Sequence, residues 1–342
     1  MSIDGERVSA AGELLEEAAA SARFSGAALV ALHGTPVLER AYGFASKGLE
    51  VPNRTDTVFN MGSMTKMFTA VAIVQLVQEG KLRLDQVIDS VLPGYPRPVA
   101  ERVTIEHLLT HTSGLGSFWN AKFEAARNSL RTVADYLPLF VDDPLGFEPG
   151  ERFGYSNAGY IVLGAIVEQV SGMTYDAYLA ERICSVAGMN NTGAWAIDQD
   201  VPNRAIGYVR AEEGEAGQFP RTNLTTTTVK GSPAGGTYST VHDLLRFAQS
   251  LRRHELLNPE HTEMLLTPRV AMGPGGGAWY AYGFGCHTYG GVTIVGHNGG
   301  APGVGAQLDL YRQSGYTTVI LSNDDAGFSM KLVRSMRETL TG

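Results

Sequence analysis

Cysteine is almost missing from this 342-residue chain. Cys184 and Cys286 stand alone, far apart and outside any Cys-x-x-Cys spacing, which excludes a disulfide framework and a cysteine-based metal or redox centre. They read as free thiols. Charge is sparse too, at 18% of residues against 44% hydrophobic, and the net charge of −8 comes without a basic tract. Nothing here grips phosphate or an anionic lipid surface, so nucleic-acid and membrane partners drop out. Long apolar runs are also lacking: no stretch has the length of a bilayer span, and the N-terminus carries Asp4, Glu6 and Arg7 in place of a signal-peptide core. With Met1 as the natural start, a cytoplasmic protein is expected. Internal repeats are missing as well. What remains is a chain able to bury a large core, expected as two closely joined domains.

Against that plain background one stretch stands out, Ser63-Met64-Thr65-Lys66, at the head of a nearly unbroken apolar run from 64 to 78 that Gly80 stops. Apolar residues on most sides describe a helix buried within the protein. Residues three apart share a helix face, so the Ser63 hydroxyl and the Lys66 amine can meet. A desolvated lysine loses affinity for its proton and becomes the base that serine needs to act as a nucleophile at neutral pH. With 20 serines and 6 lysines in 342 residues, chance supplies about 0.35 Ser-x-x-Lys spacings, so the pattern draws its meaning from context. It occurs once, at the start of the most apolar helical pattern in the chain.

Two further patterns follow in the order such a site needs. Tyr155-Ser156-Asn157 comes after the turn-rich Pro149-Gly150-Glu151-Arg152 and before an apolar helical stretch over 161–170, where a phenol can relay protons. Gly296-His297-Asn298-Gly299-Gly300 follows the strand-like Val292-Thr293-Ile294-Val295, and its glycines let backbone N–H groups approach a reacting carbonyl. Taken singly, the first is ordinary packing beside a helix and the second an ordinary turn.

Together these residues resemble the serine β-lactamase and penicillin-recognising family, closest in pattern to the β-lactamase-like (family VIII) carboxylesterases and the class C β-lactamases. Ser63-x-x-Lys66 matches the nucleophile motif, Tyr155-x-Asn157 the Tyr-x-Asn element, and His297-x-Gly299 stands where true β-lactamases have Lys-Thr-Gly. The stretches Leu108-Leu109-Thr110-His111-Thr112-Ser113-Gly114-Leu115 and Pro233-Ala234-Gly235-Gly236-Thr237-Tyr238-Ser239-Thr240 also look like family hallmarks, so the resemblance covers nearly the whole chain. One departure matters. In the family, the lysine of Lys-Thr-Gly helps hold a penicillin or peptide carboxylate, whereas His297 is shorter and mostly neutral at pH 7. That favours an esterase or related acyl hydrolase over a dedicated β-lactamase or carboxypeptidase, and leaves room for slow β-lactam turnover.

The expected chemistry is acyl transfer to Ser63, with Lys66 coupled to Tyr155 as base, backbone N–H groups of Ser63 and Gly300 as oxyanion donors, and Tyr155 as proton donor to the leaving alcohol. Asn157 would orient the substrate or the Lys66 amine, and His297, Gly299 and Gly300 would border the substrate. The substrate is a small-molecule ester or amide, and the chemistry calls for no metal or organic cofactor. A D-amino-acid peptidase or amidase, a transacylase, and a ligand-binding module on the same fold are the alternatives. Two rival sites were weighed. Gly154-Tyr155-Ser156-Asn157-Ala158 nearly matches the Gly-x-Ser-x-Gly elbow, which would make Ser156 the nucleophile, but no core strand precedes it and its last glycine is alanine. His107 and His111 have zinc-ligand spacing but lack the metalloprotease glutamate, so both are expected to cap or pack. Phe118, Trp119, Tyr238, Trp279 and Tyr280 are candidates for an apolar pocket.

For the fold, an amphipathic helix over 7–22 is followed by strands over 26–33 and 36–42, helical patterns to about 252, strands over 282–289, 292–297, 305–311 and 317–322, and a closing helix over 328–340. The acidic 212–217 segment reads as a surface excursion, and Gly273-Pro274-Gly275-Gly276-Gly277 as a flexible loop. The expected class is α+β, an antiparallel sheet flanked by helices with an inserted all-helical domain, β-lactamase/transpeptidase-like. Boundaries are set at 1–60 plus 230–342 for the sheet domain and 61–229 for the helical one, and the resemblance implies an active site in the cleft between them.

Overall fold

A computed structural model describes residues 3–209, 220–324 and 330–342. The acidic 212–217 segment and Phe328, the expected start of the last helix, lie outside the described residues. Among the described residues, eight strands form one antiparallel sheet: β1 (Gly26–Leu32), β2 (Thr35–Tyr42), β3 (Val270–Ala271), β4 (Ala278–Tyr280), β5 (Gly285–Tyr289), β6 (Val292–Ala301), β7 (Val304–Tyr311) and β8 (Tyr316–Ser322). Their spatial order is β2-β1-β8-β7-β6-β5-β4-β3, so the chain's first strand pairs with its last, Gly26 opposite Ser322 through Leu32 opposite Tyr316.

The central strands lack polar alternation because both faces of the sheet are covered. Along β1, Ala27, Leu29 and Ala31 enter one core while Ala28 and Val30 enter a second. The second core is closed by the terminal helices α1 (Ile3–Ala20) and α5 (Met330–Thr341), which pack on each other through residues such as Leu15, Leu332 and Met336. In the same layer the Arg337 guanidinium meets the Asp309 carboxylate of β7 at 2.7 and 2.8 Å, an ion pair almost wholly shut from water. Bidentate geometry of this kind is what makes burial of two charges tolerable.

The first core is the larger. It holds α2 (Thr65–Gln78), α3 (Asn157–Ser171) and α4 (Val241–Arg252). Every residue of α2 from Thr65 to Leu76 is buried, including Lys66, as its all-round apolar sequence requires. Among the described residues three short ribbons interrupt the mainly helical stretch between β2 and the end of α4: Phe44–Ser46 with Val51–Pro52, Phe59–Asn60 with Tyr238–Ser239, and Tyr208–Val209 with Arg221–Thr222. Two strand limits differ from expectation by more than one residue. β5 starts at Gly285, because a turn at Gly283 (φ +77°) precedes it. β6 runs on past His297 to Ala301, since Asn298, Gly299 and Gly300 keep pairing with Gln307, Ala306 and Gly305 of β7. The glycine-rich segment is therefore strand.

Candidate active site

The polypeptide enters α2 through a single 3-10 turn, Gly62–Met64, that carries Ser63. Gly62 sits in the left-handed region at φ +50°, and a Cβ there would lie 3.1 Å from the Gly300 nitrogen and 3.2 Å from the Gly299 backbone. A Cβ on Gly299 would strike the Met61 carbonyl oxygen at 2.1 Å. Only two glycines let this turn and β6 touch backbone to backbone, and that contact brings the Gly300 N–H beside Ser63. A third segment straps the turn from the other side. Gly236 N–H donates to Gly62 O (3.2 Å), Met61 N–H to Thr237 O (2.9 Å), and the Thr65 and Thr237 hydroxyls share a hydrogen bond of 2.7 Å.

Lys66, one residue into α2, is fully buried and has no carboxylate partner among the described residues. Its amine donates to Asn157 Oδ1 at 2.8 Å and to the Ala234 carbonyl, and lies 4.9 and 5.5 Å from the ring centres of Tyr155 and Tyr160. Burial pushes its proton affinity far below the ordinary lysine range. The partner count fits the neutral form: an uncharged amine has two N–H bonds and one lone pair, and two acceptors are present. The lone pair is left to accept a proton.

Tyr155 and Asn157 straddle the start of α3. Ser156 is the helix cap, its buried hydroxyl accepting from Gly159 N–H and donating to Gly116 O, both at 2.8 Å. No strand precedes it, and a serine so engaged has no free nucleophile to offer. On its two sides, Tyr155 turns its hydroxyl toward the Ser63 side chain while Asn157 reaches Lys66. The Tyr155 ring remains 40% exposed, yet desolvation around the hydroxyl raises its proton affinity well above the usual phenol value, so the phenol is neutral at pH 7.

His297 lies one layer behind. Its imidazole is 5% exposed, hydrogen bonds to Tyr280 Oη at 3.0 Å and to Asn298 O at 2.5 Å, and stands 6.3 Å from the Tyr155 ring centre. Burial, assisted by nearby Lys66, brings its pKa down to about 3, so it is uncharged. His107 completes a capping box with Thr104 on the short helix Ile105–Leu109, and the expected zinc spacing with His111 brings no cluster of ligands together among the described residues. Both cysteines are free and buried.

A cavity of about 500 Å³ opens on Ser63. Phe118 and Trp119 form one wall, Thr226, Thr227, Thr228 and Ser232 another, with Gly300 and Asn157 at the nucleophile and the Arg127–Glu124 pair (3.1 Å) also on the lining. Of the aromatic pocket candidates, Tyr238 borders a smaller neighbouring cavity, Trp279 is tied to Gly276 O on the outer strand β4, and Tyr280 is buried against His297. The sequence profile of the Beta-lactamase family matches residues 12–341. The chain belongs to the beta-lactamase family. It is 30% identical over 335 residues to Penicillin-binding protein 4* of Bacillus subtilis, covering 94% of this chain and 73% of that one. It is likewise 30% identical to esterase EstB of Burkholderia gladioli over 72% of this chain and 70% of that one. Among solved structures, a penicillin-binding protein from Bacillus halodurans superposes with a TM-score of 0.87 at 35% identity, covering 96% and 98% of the two chains.

Within this beta-lactamase-family site, sequence reasoning had gathered Ser63, Lys66, Tyr155, Asn157 and Gly300, and the fold brings all five together. Gly299 serves the backbone contact, and His297 faces Tyr280 away from the cavity lining. The Ala234 carbonyl and the Tyr160 ring had gone unnoticed. Ala234 lay inside the quoted hallmark stretch, but a backbone acceptor leaves no side-chain signal.

Proposed function

We propose that this protein is a serine hydrolase that cleaves carboxylic esters through an acyl-enzyme on Ser63, working in a cleft between a sheet domain (1–60 plus 230–342) and a helical domain (61–229). The observation that carries the reading is the Lys66 amine, buried without a carboxylate among the described residues and with two acceptors for two N–H bonds. Ser63 Oγ attacks the ester carbonyl, and its proton passes to the Lys66 lone pair by way of Tyr155, whose hydroxyl is turned toward Ser63 and whose ring centre lies 4.9 Å from the amine. The developing oxyanion lies toward the backbone N–H groups of Ser63 and Gly300, which act on charge that appears only in the transition state. Collapse breaks the bond to the alkoxy oxygen, and Tyr155 returns the proton to the departing alcohol. Water then attacks the acyl carbonyl by the same route, releasing the acid and restoring the Ser63 hydroxyl. Asn157 holds the Lys66 amine in place through its Oδ1.

Esters are favoured over penicillins and peptides by the state of His297. A buried neutral imidazole turned to Tyr280 does not replace the ammonium that the family uses to grip a substrate carboxylate. The likeness to esterase EstB supports the same side. The test is reaction with p-nitrophenyl butyrate and with a fluorophosphonate, followed by mass spectrometry of the labelled peptide. Label on Ser63, with turnover lost in Ser63→Ala, is the expected result. Turnover of D-alanyl-D-alanine analogues with little ester hydrolysis would move the assignment to a peptidase, and labelling without turnover would make the protein a binding module.

A further inference from the structure

His111 was expected only to cap or pack, yet its surroundings are too specific for that. It is one of the few non-glycine residues in the left-handed backbone region, at φ +58°, a strained conformation that persists where the surroundings demand it. The surroundings are the two residues flanking Tyr155. Gly154 N–H donates to the His111 carbonyl at 2.8 Å, Ser156 N–H donates to His111 Nδ1 at 3.0 Å, and the imidazole lies against the Tyr155 ring with centres 4.3 Å apart. One residue thus holds the chain before and after the phenol and forms the bed on which the ring rests.

The hydrogen placement on this histidine follows from its partners. Nδ1 accepts a backbone N–H, so the neutral ring carries its hydrogen on Nε2, which points at Tyr280 Oη 3.2 Å away. From the other end, His297 Nδ1 faces the Asn298 carbonyl, an acceptor, so His297 is protonated there and its Nε2 accepts from Tyr280 Oη at 3.0 Å. Both ends agree on a single direction, His111 Nε2–H to Tyr280 O–H to His297 Nε2. Burial and the charge that Lys66 would carry disfavour a second proton on either ring. The chain of bonds begins under Tyr155 and ends on β6, the strand that carries Gly299 and Gly300.

We propose that His111 is the positioning residue for Tyr155, holding its hydroxyl over Ser63 and joining it through Tyr280 and His297 to the strand that supplies the Gly300 N–H. The inference rests on the reading of Tyr155 as proton donor to the leaving alcohol. Two esters separate the roles, because p-nitrophenolate departs without a proton and ethoxide does not. Active sites are counted by fluorophosphonate titration, and kcat/KM is compared for ethyl butyrate and p-nitrophenyl butyrate in Tyr155→Phe, His111→Phe and Tyr280→Phe. His111→Phe keeps the ring but removes both hydrogen-bonding nitrogens. It should lower kcat/KM for ethyl butyrate about 100-fold and for p-nitrophenyl butyrate less than about 10-fold, with Tyr155→Phe discriminating in the same sense. Tyr155→Phe without discrimination overturns the role of Tyr155 itself. Discrimination in Tyr155→Phe together with equal or no losses in His111→Phe overturns the inference while leaving that role standing. Should His111→Phe not fold, Tyr280→Phe and the imidazole 15N spectrum of the unmodified protein decide: loss of discrimination in the one, or an Nδ1–H tautomer at His111 in the other, refutes the assignment.

Discussion

Replacing Lys66 with methionine tests the premise of the whole site, that the buried amine is uncharged. In the unfolded chain a lysine keeps its proton up to about pH 10.4. In the folded protein, desolvation by burial takes that proton off far earlier. Between the two values the unfolded state binds one more proton than the folded state, so stability rises with pH, by about 1.4 kcal/mol for each pH unit. The sign follows from the depressed folded pKa: the penalty is absent above the unfolded value, grows as pH falls, and levels off below the folded value. Upward in pH toward the unfolded value the wild type should therefore gain stability relative to Lys66→Met, whose own pH profile contains every other titrating group and cancels them in the difference. Urea unfolding at a series of pH values reads this directly, with the variant's loss of two hydrogen bonds appearing as a constant offset. Parallel profiles would mean that Lys66 stays protonated in the folded protein, and the base would have to be sought elsewhere.

Gly62→Ala places a Cβ 3.1 Å from the Gly300 nitrogen on a backbone at φ +50°, so kcat for p-nitrophenyl butyrate should fall about 100-fold or more with stability reduced by about 1–2 kcal/mol; near-normal turnover would remove the Ser63–Gly300 contact from the mechanism. Ser156→Ala removes the cap of α3 and should lower unfolding stability by about 1 kcal/mol while fluorophosphonate still labels Ser63, whereas loss of all labelling would revive Ser156 as nucleophile. His297→Gln should leave the midpoint of the acid limb of kcat/KM where it is, because this imidazole titrates near 3, below the range of the assay; a shifted midpoint would put His297 among the titrating groups.

Much of the fold and of the site is written locally. An apolar run on all sides of a helix specifies α2 as buried, whatever it packs against, and the strand patterns over 26–33 and 36–42 specify β1 and β2. Ser63, Lys66, Tyr155 and Asn157 could be found because their chemistry is in their side chains and their spacing follows helix geometry. Three things had no such signature. The end of β6 was misplaced because glycines read locally as a turn, while pairing with β7 keeps them extended. Ala234 entered unseen because its contribution is a carbonyl oxygen whose partner lies 168 residues away. His111 read only as a histidine at zinc-ligand spacing from His107, expected to cap or pack, until the fold set it under Tyr155. Residue type and period determined which groups were available for acyl transfer and which helices and strands would form. Only the tertiary structure decided that Lys66 is fully buried, that Ser156 is a cap and that His297 is a buried link, because desolvation and hydrogen-bond direction depend on neighbours that the chain brings from far away in sequence.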